Sequence, residues 1–62
     1  MNMSLTIDEI QKLLMELEEL EDKLTVLELE LQQETNPDRK ALLMMEIEKL
    51  QARIEALRIQ LK

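Results

Sequence analysis

A single proline stands in a 62-residue chain that has no glycine, and two aliphatic ladders are set symmetrically about it. Leu13, Leu17, Leu20, Leu24, Leu27 and Leu31 recur at alternating spacings of four and three before it. Leu43, Ile47, Leu50, Ile54, Leu57 and Leu61 repeat the pattern after it. Each rung of the first ladder has a counterpart in the second at equal distance from Pro37, from Leu31 with Leu43 out to Leu13 with Leu61. Spacings of three and four put side chains on one face of an α-helix. A chain that doubles back at Pro37 therefore stacks six layers of facing apolar side chains between two antiparallel helices. The fold class that follows is all-α: a helical hairpin, or two-helix antiparallel coiled coil.

The helix ends are written in the sequence too. Thr6-Ile7-Asp8-Glu9 has the capping-box pattern, and Leu5 and Ile10 are spaced as a hydrophobic staple. Asp8 and Glu9 suit the positive end of the helix dipole. A residue that precedes proline is pushed out of the α region, so Asn36 is extended, which is also what an N-cap requires. Pro37 then occupies the first helical position, where its missing N–H costs nothing. These signals predict one hairpin domain over residues 1–62, with helices at about 7–33 and 37–61 and a turn at 34–36. The main rival is one long helix kinked at Pro37 and paired in parallel. Carrying the first heptad forward puts Asp38 and Ala41 on the seam, whereas the second ladder begins at Leu43. A turn explains that slip better than a kink.

A hairpin of this size is short of core. Chains of this length usually lean on disulfides, metals or oligomerisation. Cysteine and histidine are both absent, so disulfides and the common soft metal ligands drop out. Self-association is left. The six layers leave Leu5, Ile7, Ile10, Leu14, Met15, Val26, Leu29, Leu42, Met44, Met45 and Ile59 unused. On the second helix Leu42, Met45, Lys49, Ala52, Ala56 and Ile59 form a thinner stripe away from the seam. Small Ala52 and Ala56 allow another helix to approach closely. Val26 and Leu29 lie near the turn, close to Leu42 and Met45. Ile7 and Ile10 overhang at the open end, since their mirror positions fall beyond Lys62. The expected oligomer interface is Ile7, Ile10, Leu14, Val26, Leu29, Leu42, Met45, Ala52, Ala56 and Ile59. The expected partner is a second copy, giving a homodimeric four-helix bundle or a higher homo-oligomer.

Charge is divided unevenly. The net charge is −6, and most of the acid lies before the proline. Residues 7–34 carry ten acids against Lys12 and Lys23, while residues 37–62 carry six bases against four acids. Opposite signs favour lateral packing of the helices, though exposed pairs contribute only a few tenths of a kcal/mol each. Neighbours directly across the seam are like-signed (Glu30 with Glu46, Lys23 with Arg53). Diagonal neighbours are opposite (Lys23 with Glu46, Glu16 with Arg53, Glu30 with Arg39).

Catalysis finds no foothold. With no His or Cys, and only Ser4 and three threonines as hydroxyls, no nucleophile–base arrangement can be drawn. No cofactor or metal set is expected, because bundle metal sites use inward-facing Glu-x-x-His repeats. Membrane insertion is not expected either. The longest apolar run is Ala41 to Met45, and Met1-Asn2-Met3-Ser4 lacks the basic and apolar regions of a secretion signal. Cytoplasm is the default compartment.

In layout the chain resembles the Rop-like hairpin dimers of plasmid copy control, which show that a dimeric helical hairpin of similar length can bind paired RNA loops; nucleic acid is nonetheless not the expected partner. The likeness is one of architecture with no shared motif, so no residue roles come with it. Arg39, Lys40, Lys49, Arg53, Arg58 and Lys62 are spread round the helix among acids, and no aromatic is present to stack on bases. A third reading takes the cluster Glu16, Glu18, Glu19, Glu21 and Asp22 as a mimic of nucleic acid that blocks a basic protein. The expected function is a self-associating protein–protein interaction module with an adaptor, assembly or regulatory role. A small regulator of nucleic-acid processes is the alternative.

Overall fold

The computed structural model describes residues 5–62; Met1–Ser4, read above as no secretion signal, lies outside them. Helix α1 spans Ile7–Gln33 and helix α2 spans Pro37–Leu61. The two pack against each other along their lengths, joined by Glu34, Thr35 and Asn36. The chain measures 46 × 17 × 11 Å. A 62-residue rod would be about 90 Å long at the helical rise, so the single-rod arrangement is excluded. The shortest dimension is about one helix diameter. The molecule is therefore one layer thick.

Local chemistry explains each end. Thr6 sits in extended conformation, its Oγ1 accepting from the Glu9 N–H at 3.2 Å. The Glu9 carboxylate accepts in return from the Thr6 N–H at 2.9 Å, so two otherwise orphaned backbone donors are satisfied together. At the turn, Asn36 Oδ1 accepts from the N–H groups of Asp38 at 2.8 Å and Arg39 at 3.2 Å. Glu34 caps the turn from the other side, its carboxylate accepting from the Asn36 N–H and the Arg39 Nε–H, both at 3.1 Å. A three-residue connection can close without glycine because no residue needs a positive φ. Within α1, Thr25 is tolerated because its hydroxyl donates to the Glu21 carbonyl at 3.1 Å.

The seam forms the core. Leu27, Leu43, Ile47, Ile54 and Leu57 are buried, Leu57 fully. Leu24, Leu31 and Leu50 pack half-buried around the group nearest the turn. Leu13, Leu17, Leu20 and Leu61 are half-buried as well. All twelve ladder residues are thus withdrawn from solvent, and Leu5 is the one further aliphatic withdrawn among the described residues. Leu5 helps line a groove at the open end with Leu13, Lys12 and Gln60.

Candidate interaction surface

Among the described residues, the apolar side chains outside the seam other than Leu5 remain in water. Ile7, Ile10, Leu14, Val26, Leu29, Leu42, Met45 and Ile59 are exposed, from 36% for Ile10 to 74% for Ile7. Ala52 and Ala56 are exposed as well. Met15 and Met44, which the sequence reading counted as unused but left off the interface, are 65% and 55% exposed.

These residues form two areas. On α2, Leu42, Met45, Ala52, Ala56 and Ile59 share one face with Lys49. At about 100° per residue its centre falls about 160° round the helix from the seam. It is an outward edge of the hairpin. On α1 the corresponding outward positions hold Met15, Glu19, Asp22, Val26 and Leu29. Val26 and Leu29 are level with Leu42 and Met45, but the two pairs face away from each other with the seam between them. The sequence reading set them side by side; within one hairpin they occupy opposite edges. Ile7 and Leu14 flank the open end of the seam, and Ile7 is the most exposed large apolar residue among the described residues.

Electrostatics separates the flanks from the edges. Arg53 meets Glu16 in a two-pronged contact, Nε–H to Oε2 at 3.0 Å and an Nη2–H to Oε1 at 3.2 Å. Arg58 donates to Glu21 at 2.7 Å on the opposite flank. Of the diagonal pairs drawn from the sequence, the structure makes Glu16 with Arg53; Arg39 turns to Glu34 rather than to Glu30. The Glu21–Arg58 pair was missed because charges were compared on one flank only. These pairs tie α1 to α2 across the seam, and their side chains are 41–57% exposed, so each is worth at most about 1 kcal/mol. They also engage two acids of the dense α1 cluster and, with Arg39, every arginine in the chain.

Two carboxylates titrate away from their ordinary range. Glu9 is held low, first by the Thr6 N–H and then by its hydroxyl. Glu34 is held low chiefly by the Asn36 N–H, with Arg39 adding to it. Both shifts arise at helix caps. A shallow groove beside the Glu21–Arg58 pair is lined by Leu24, Thr25, Gln51, Ile54 and Glu55. No arrangement of nucleophile and base lines it. Among the described residues no helix is long and apolar enough to cross a membrane.

Comparison of the chain with protein-family models, curated proteins and solved structures returns no match.

Proposed function

We propose that this chain is a self-associating helical hairpin, a protein–protein interaction module whose first partner is another copy of itself. One observation carries the reading. Among the described residues ten large hydrophobic side chains are exposed and five are buried. Scattered surface leucines are ordinary, but an apolar face along a whole helix marks an interaction site. The exposed area agrees: 5177 Å² is accessible, against about 4,200 Å² expected of a compact protein of this mass. Two hairpins side by side make a four-helix assembly, the smallest in which a face of one copy is covered by another. The engagement of all three arginines by glutamates favours this reading over direct RNA binding.

The test is thermal unfolding followed by circular dichroism over a hundredfold range of protein concentration. Association raises the midpoint as concentration rises, because copies that bind the folded state stabilise it by mass action. A midpoint that does not move would contradict the reading.

A further inference from the structure

The two outward edges of the hairpin are complementary to each other, and they point to how copies meet. On α1, Met15, Glu19, Asp22, Val26 and Leu29 follow one another at spacings of four, three, four and three. Read from its C-terminal side, α2 offers Ala56, Ala52, Lys49, Met45 and Leu42 at the same spacings. Laid antiparallel, with both turns at the same end, the rows match by spacing at all five positions and by chemistry at four, the fifth setting Glu19 against Ala52. Leu29 falls against Leu42 of the second copy, and Val26 against its Met45. Met15 falls against its Ala56, large on small. In the middle, Asp22 falls against its Lys49, opposite in sign. Neither Asp22 nor Lys49 takes part in an ion pair of the hairpin, and both are exposed.

We propose that self-association is edge to edge: α1 of one hairpin packs antiparallel on α2 of the next, pinned by Asp22 and Lys49. This rests on the self-association proposed above and specifies its interface. The alternative, α2 on α2 about a twofold axis, also fits by spacing and sets Leu42 against Ile59. It brings the Lys49 side chains of the two copies together near the axis, where like charges repel. The acidic α1 edge meets no such repulsion. A contact between unlike faces has a further consequence. After two copies join, one keeps a free α2 edge and the other a free α1 edge, so further copies can add in a row.

The absence of cysteine makes the register directly testable. A Leu29→Cys protein is mixed with a Leu42→Cys protein and oxidised gently, beside a Leu42→Cys with Ile59→Cys mixture. The expected product is the 29–42 mixed disulfide, formed well ahead of the 42–59 one. Preference for 42–59, or equal yields from both mixtures, would overturn the register while leaving self-association intact. A particle that stays monomeric by light scattering would instead remove the parent reading. Charge reversal gives a second arm that does not depend on cysteine chemistry. Asp22→Lys and Lys49→Asp should each weaken association about tenfold or more, and the double reversal should restore it. Within one hairpin these residues lie on opposite edges, so rescue cannot arise inside a monomer. Failure of the double reversal to rescue would refute the pairing.

Discussion

Asn36 is the N-cap of α2, extended in backbone immediately before Pro37. Its side chain satisfies two backbone donors and its own N–H is held by Glu34. Asn36→Ala should cost about 1 kcal/mol, read as a lower urea midpoint with unchanged slope. Leu57 is the fully buried residue of the seam, and Leu57→Ala should cost roughly 2–5 kcal/mol. A hairpin this small would not survive the upper end of that range. Acid acts on the caps. Glu9 and Glu34 titrate below their ordinary value in the folded chain, so the stability they lend is complete above the usual glutamate range. It is lost as pH falls through their depressed values. A Glu9→Gln, Glu34→Gln double variant should lose less of its melting temperature on acidification than the parent. An equal loss would place the acid sensitivity elsewhere.

At the scale of the helices, what was legible in the sequence was whatever depends on near neighbours and on period. Thr6 and Glu9, or Asn36 and Pro37, declare helix ends through contacts three residues apart or fewer. The ladders declare the seam because Leu13 to Leu31 and Leu43 to Leu61 share one period and one mirror point. What was less legible depends on geometry between helices. Arg58 with Glu21 could not be chosen without knowing how far the two rows are offset. That Val26 and Leu42 point apart follows from period, each lying about half a turn from its own seam, but their shared closeness to the turn hid it. The cross-seam pairs should be weak: a double-mutant cycle on Glu16→Ala and Arg53→Ala should return a coupling below about 1 kcal/mol. A markedly larger coupling would mean that assembly buries the pair. Ala56→Glu places a charge on the α2 edge while leaving the seam untouched. It should preserve helicity in dilute solution and weaken association, read as a smaller shift of melting point with concentration.

The whole molecule is a flat pair of helices with one shared seam and two apolar edges. The seam uses only half of what the sequence supplies in apolar side chains. The seam sets the shape of the hairpin, and on the proposed reading the edges set how copies meet. Molar mass by light scattering across a concentration series tests this most directly. The account requires a mass above the 7.4 kDa of one chain, rising as concentration rises. A constant 7.4 kDa particle, fully helical at every concentration, would contradict it.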